Sequence, residues 1–366
     1  MDTMFDYIKW RGDERFSMRP FNDVDAMILT YVSYLDIKSV MKDGSRRMLK
    51  DICGELKLKD GGYNILTVTG TTGESPLMDE LARSKRFGDI YVRDFIDVFK
   101  PSESLQFAAL TFDLDDDVSM MTFRGTDDSL AGWKEDFMLS YRMMPGQRMS
   151  VEYVTSVISS DEKKGSEKEY YITGHSKGAN LALYSAVSID DSMWDKILHV
   201  YMFDGPGLCP DVMPDKDITR IRDRSTHIRP SYSVMGGLFD AELPDTRIVK
   251  STSYDILQHD MISWGIEYGD FLYTDEAEAR SNWICEGLKR WIESADLSQR
   301  EKLVNEMFDA FADNGYSRLK DLSDKGPKSL EQLLITMSGL SPEVKVLVKS
   351  LPKQLFHSIK LGRWQP

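Results

Sequence analysis

Apolar and polar positions change period several times along the chain, and each change marks an element. In residues 22–42, Ala26, Met27, Leu29, Thr30 and Val32 follow Asn22 and Asp23, the pattern of a capped helix. Two further helical patterns are expected within 76–99, around Leu81 and Phe95. A strand pair follows, "SLQFAALTFDL" (104–114) and "SMMTFRGT" (119–126), joined by the acidic turn Asp115-Asp116-Asp117. Beyond it, strands are expected near 169–173, 197–203, 225–229 and 246–252, with helices near 148–160 and 178–190. Parallel strands need crossover connections, so this alternation predicts a mainly parallel central sheet flanked by helices.

From about residue 275 the period stays helical. Ala279, Trp283, Ile284, Leu288 and Trp291 recur at helical spacing, and further helical runs are expected at 297–313, 329–338 and 342–360. The chain therefore divides into an α/β domain over 1–274, which includes the N-terminal helical segment, and a helical C-terminal region over 275–366.

Composition narrows the classes of function. Hydrophobic residues at 41% of 366 positions supply a sizeable core and exclude a disordered chain. A net charge of −14 repels phosphate backbones, so no nucleic-acid partner is expected. No run reaches the roughly 20 apolar residues of a transmembrane helix, and the amino end lacks the basic and apolar regions of a signal peptide. Cys53, Cys209 and Cys285 are widely spaced and form no CxxC pair, which fits reduced thiols and no metal site. A cytoplasmic protein is the expectation.

The chemistry concentrates in "EKEYYITGHSKGANLALYSAV" (167–187). A short strand breaks on Gly174-His175-Ser176-Lys177-Gly178 and continues as a small-residue helix, the Gly-x-Ser-x-Gly pattern of a nucleophile elbow. The helix N-terminus then points at Ser176. A serine hydroxyl needs a histidine base. His175 adjoins the serine, with its side chain expected to point away from the base position; His199 and His227 fall in predicted strands, and His357 on a late helix. His259, in a loop past the last predicted strand, is the candidate base. Asp204, at the carboxyl end of a strand in "FDGPGLCP", is the first candidate for the acid, ahead of Asp240 and Asp260. For the oxyanion, the amide of Lys177 is one candidate donor. The second is Thr126, where "MTFRGTDDSLAGWKEDF" (121–137) turns at Gly125.

Together, "FRGTDDSLAGWKEDF" and "ITGHSKGANLA" resemble the Phe-Arg-Gly-Ser/Thr loop and the Gly-His-Ser-x-Gly-Gly/Ala elbow of the lipase class 3 branch of the α/β-hydrolases. "FDGPG", "VMGGLF", "VKSTSYDILQHDMISW" and "PFNDVDAMILTYVSYLD" are similar to a group of bacterial lipase-like proteins, and the two resemblances cover most of residues 20–265. They imply an α/β-hydrolase fold with Ser176 as nucleophile, His259 as base, and Thr126 and Lys177 as oxyanion donors. Where class 3 lipases carry an aspartate soon after the strand near 225–229, this chain has Pro230-Ser231-Tyr232-Ser233, which leaves the acid open. The segment after Thr126 corresponds to the lid of those lipases. Here Leu130, Trp133, Phe137, Met138 and Leu139 alternate with Lys134, Glu135 and Asp136, a pattern that fits either an amphipathic lid or core packing.

The expected function is serine ester hydrolysis through an acyl-enzyme, acting on a small-molecule or lipid-like acyl ester without metal or organic cofactor. The alternatives are an inactive hydrolase scaffold used for interaction, or a thioesterase or amidase with the same site.

Overall fold

Asn22 accepts a hydrogen bond from the Asp25 amide, and Asp25 accepts one from the Asn22 amide. This reciprocal cap starts a helix whose every residue from Val24 to Val32 is buried. Such a helix belongs inside a molecule, and it lies against the central sheet, where Thr30 Oγ1 donates to Thr173 Oγ1 across 2.8 Å. The computed structural model describes residues 1–42, 44–58, 61–66, 75–127, 129–214, 217–239, 243–313, 315 and 340–346.

The strands are β1 (Arg47–Met48), β2 (Tyr91–Lys100), β3 (Leu105–Asp113), β4 (Val118–Phe123), β5 (Glu169–His175), β6 (Ile197–Phe203), β7 (Ser225–Pro230), β8 (Thr246–Val249), β9 (Ile266–Glu267), β10 (Asp270–Phe271) and β11 (Tyr273–Thr274). Among the described residues they form a nine-stranded sheet in the order β1-β2-β3-β4-β5-β6-β7-β8-β11, and β9 with β10 forms a separate hairpin. β4 to β8 run parallel, and antiparallel strands extend both edges. With helices on both faces this is an α/β-hydrolase fold.

The helices are α1 (Met4–Arg11), α2 (Asp23–Val32), α3 (Leu49–Leu56), α4 (Ser75–Arg83), α5 (Leu130–Met138), α6 (Pro145–Lys163), α7 (Lys177–Ser188), α8 (Asp191–Trp194), α9 (Ala279–Glu293) and α10 (Leu297–Asp313). Alternate residues of each central strand enter different cores. Leu110, Phe112, Met120, Tyr201 and Phe203 face α1 to α4, whereas Ala109, Met121, Ile172, Val200 and Met202 face α6, α7 and α10. Apolar residues on both faces are what a sheet covered on two sides requires.

Two expectations need correction. Phe95 lies in β2, not in a helix. The pairing of β2 with β3 shifts register between Arg93 and Ile96, with Asp94 at φ 51°. The extra residues break the twofold alternation, so Val92, Phe95, Ile96 and Phe99 mimic helical spacing. The helix starting at Asp23 also stops at Val32, well short of residue 42. The expected run at 329–338, most of that at 342–360, Asp240 and His357 lie outside the described residues.

Candidate active site

β5 ends at His175 and α7 begins at Lys177, so Ser176 alone makes the turn, at φ 57° and ψ −127°. A non-glycine residue in that region is strained, and strain of this kind collects at functional sites. The turn is closed by contact as well as by angle: a Cβ on Gly174 would sit 2.0 Å from the Gly178 carbonyl oxygen. On the neighbouring parallel strand, Asp204 follows β6 directly and is also left-handed, at φ 41°. Parallel pairing of β5 with β6 thus sets the serine and the carboxylate at the same edge of the sheet.

His259 ends a short 3-10 turn, Asp255–His259, and its Nδ1 lies 2.6 Å from Asp204 Oδ2. The other carboxylate oxygen, Oδ1, accepts from Ser233 Oγ and from the Gly236 amide at 3.2 Å. Burial works against the Asp204 anion, yet the charge and hydrogen bond of His259, with the Ser233 hydroxyl, hold its pKa below the usual value. Burial likewise disfavours the His259 imidazolium, but Asp204 outweighs it and raises the histidine pKa, helped by Asp260 and Asp136. The Asp260 side chain accepts from the Ile262 amide at 3.2 Å.

The stretch after β7, where the resemblance implied an aspartate, instead supplies a hydroxyl and an amide to Asp204. Ser233 stands near the expected aspartate position and steadies an aspartate that comes from the end of β6. The Gly207 amide, the plausible local partner of Asp204, donates to Leu238 O instead.

Ser176 and His259 line one cavity of about 240 Å³ together with Thr126, Trp133, Asp136 and Met235. Among the described residues no hydrogen bond joins Ser176 Oγ to His259. The Arg124–Thr126 loop passes directly over the elbow, since a Cβ on Gly125 would lie 3.2 Å from Ser176 Cβ. Among the described residues the Thr126 and Lys177 amides have no acceptor, whereas the Gly125 amide donates to Tyr34 Oη at 3.2 Å. The two amides expected to face the oxyanion are thus the unengaged ones.

Several groups at the site were not singled out in the sequence. His175 does not turn away: its ring lies 4.5 Å from that of His259, centroid to centroid. Its Nε2 must donate to the His259 carbonyl oxygen at 2.9 Å, so Nδ1 is the acceptor for the Tyr34 hydroxyl at 2.8 Å. Burial and the neighbouring imidazole push its pKa down to about 3, so the ring is neutral. Tyr34 and His175 thereby tie the Arg124–Thr126 loop to the backbone of His259. Asp136 accepts from Thr126 Oγ1 at 2.6 and 2.8 Å, and burial pushes its pKa up to about 7 against the pull of Lys177 and the Thr126 hydroxyl.

The Lys177 side chain runs inward to the fully buried Glu135, 2.8 Å away, and to Gln106 O at 2.8 Å. Glu135 also accepts from the Gln106 and Gly146 amides. The acidic residues of α5 therefore face inward, while Phe137 is 39% exposed and meets Phe308 edge-on at 5.6 Å. The Glu135–Lys177 ion pair joins α5 to the residue that follows Ser176. Of the two readings of this segment, the inward-facing Glu135 and its buried partner Lys177 fit core packing, while Lys134 pairs with the exposed Asp309.

Among the described residues no cluster of His, Cys, Asp or Glu could hold a metal ion, and no helix is long and apolar enough to cross a membrane. The Mbeg1-like family model matches residues 81–309, which span β2 to α10 and contain Thr126, Ser176, Asp204 and His259. No curated protein matches the sequence. Among solved structures, the chain is similar to a Rhizomucor miehei lipase in a propeptide complex, at 12% identity and a TM-score of 0.39 over 62% of this chain and 67% of that one. It is also similar to a fungal lipase, at 12% identity and a TM-score of 0.40 over 69% and 84%.

Proposed function

The chain belongs to the Mbeg1-like family, and from that premise and the geometry at Ser176 we propose that it is a serine hydrolase that cleaves carboxylic esters through an acyl-enzyme. The observation that carries the reading is the 2.6 Å bond from His259 Nδ1 to Asp204, on the wall of the cavity that holds a serine at φ 57°. With Nδ1–H committed to Asp204, Nε2 is left as the basic nitrogen.

In this reading an ester enters the cavity and a hydrogen bond from Ser176 to His259 forms around it, as catalytic bonds commonly close on binding. His259 Nε2 takes the Ser176 proton as Oγ attacks the carbonyl carbon. The Thr126 and Lys177 amides hold the developing oxyanion. The imidazolium, stabilised by Asp204, protonates the leaving alcohol. Water, deprotonated by His259, then releases the acid and restores the serine.

The likeness to bacterial class 3 lipase-like proteins belongs to this reading, as does a small-molecule or lipid-like acyl ester as substrate. A cytoplasmic setting is supported by three buried cysteines, none of them in a disulfide. The test combines a fluorophosphonate probe with p-nitrophenyl esters. Wild type is expected to be labelled and to turn over esters, Ser176→Ala to lose both, and Asp204→Asn to lose about 10⁴ in kcat. Equal labelling of wild type and Ser176→Ala would reject Ser176 as the nucleophile. Labelling without ester turnover would redirect the same site to thioesters or amides.

A further inference from the structure

A second cavity, of about 180 Å³, adjoins the first and shares Trp133, Asp136 and Met235 with it. Its other walls include Phe137 and Leu139 at the end of α5, Leu238 after β7, Leu288 and Ile292 on α9, and Leu303 on α10. We propose that the acyl chain of the ester passes between Trp133 and Met235 into this cavity, so that the C-terminal helices α9 and α10 select medium and long chains. The inference rests on the serine-hydrolase reading for the position of the ester carbonyl.

Three observations favour an alkyl chain as the occupant. The cavity shares three wall residues with the Ser176 pocket, so a chain attached at the carbonyl needs only to pass the side chains common to both. Its one cationic wall residue, Arg300, donates to protein groups from every guanidinium nitrogen: Nε to Ile292 O and Ala295 O, Nη1 to Ser140 O and Nη2 to Asp211. A polar or anionic ligand would therefore meet no unpaired cation, whereas an apolar void of this kind accepts apolar guests. Finally, the Trp133 indole N–H is buried without a partner among the described residues, so turning that side chain at the neck breaks no hydrogen bond.

The test measures binding directly, apart from turnover. A series of methyl ketones from butan-2-one to dodecan-2-one, which carry a carbonyl and an alkyl tail but no leaving group, is titrated into Ser176→Ala and followed by tryptophan fluorescence. Affinity is expected to rise about fourfold for each methylene that enters the cavity. Leu288→Trp and Ile292→Trp, each made in that background, fill the cavity from α9 and should abolish the rise while leaving the affinity for butan-2-one unchanged. The paired variants guard against one of them misfolding, which loss of butan-2-one binding would reveal. In otherwise wild-type protein the same fillings should lower kcat/KM for p-nitrophenyl decanoate at least tenfold and leave p-nitrophenyl acetate within about twofold. Affinity that stays flat with chain length, or that rises equally in both filled variants, overturns the proposal. A flat series, with wild type phosphonylated at Ser176, rejects the chain route alone. A rising, fillable series on a protein that is not phosphonylated rejects the serine chemistry alone.

Discussion

At Asp136 a single carboxyl links Thr126, the Lys177 that follows Ser176, and His259. It accepts from Thr126 Oγ1, is drawn on by the Lys177 charge and in turn raises the pKa of His259. Burial holds its proton up to about pH 7, far above the ordinary aspartate value near 3.8. The sign of the consequence follows from proton counting. Between about pH 4 and 7 the folded protein keeps a proton that the unfolded chain has released, so stability falls as pH rises through that window. Asp136→Asn removes this loss and should gain on wild type in urea midpoint as pH goes from about 5 to 8. The same substitution takes away one charge that favours the imidazolium, so the acidic limb of kcat/KM should move to lower pH. An unchanged midpoint difference across that range, or a limb moving upward, would count against this account. At this scale the sequence was legible where spacing reports geometry: Ser176 between glycines, and His259 past the last parallel strand. It was silent on Tyr34 and on the contacts of Asp136, and wrong in expecting the His175 side chain to point away, because these placements come from distances between segments that no local pattern encodes. Asp204 was legible only in part. Its position at a strand end was visible, but the partner that steadies it, Ser233, comes from a separate loop.

Among the elements, α2 shows how a buried polar pair can fix an otherwise apolar helix. Arg86 bonds both oxygens of Asp25, at 2.7 and 2.5 Å, and neither side chain reaches solvent. The remaining guanidinium donors go to the Glu14, Arg19 and Pro20 carbonyl oxygens, so one arginine joins the start of α2 to the loop that precedes it. Arg86→Met would strand a buried carboxylate and is expected to cost about 3–5 kcal/mol in chemical denaturation. Adding Asp25→Leu should recover a good part of it, since replacing both members of such a pair by apolar groups is often tolerated. No recovery in the double variant would mean that the carbonyl bonds of Arg86, rather than the ion pair, carry its contribution. α2 also carries the site, because the chain leaving it supplies Tyr34, whose hydroxyl holds both Gly125 and His175. The cap at Asn22 was readable in the sequence because it is a contact between residues three apart. The end of the helix and the bulge in β2 were not, since long-range pairing decides both.

Over the whole molecule, the question is whether the C-terminal helices ride on the sheet domain or complete it. α10 enters the core shared by α6, α7 and the sheet through Val304, Phe308 and Phe311. Polar contacts reinforce the seam: Lys134 on α5 lies 2.9 Å from Asp309, and Arg300 bridges Ser140 and Asp211. α5 in turn is held by Glu135 to Lys177, so the helices, the loop-bearing segment and the elbow form one connected body. The helical character of this region was plain from its 3.6-residue period, but a period says which face is apolar and not which surface covers it. Because Phe308 packs into a core that also contains residues of β4, β5 and α7, its loss should act on the entire fold. Phe308→Ala is expected to cost about 3–5 kcal/mol, through lost burial and the cavity left behind. Guanidinium unfolding followed by far-UV and near-UV circular dichroism should then show one transition, displaced to lower denaturant in both signals. Two separated transitions, with only the first shifted by Phe308→Ala, would instead mean that α9 and α10 unfold on their own. In that case the wall they lend to the second cavity could open while the Ser176 pocket stays intact.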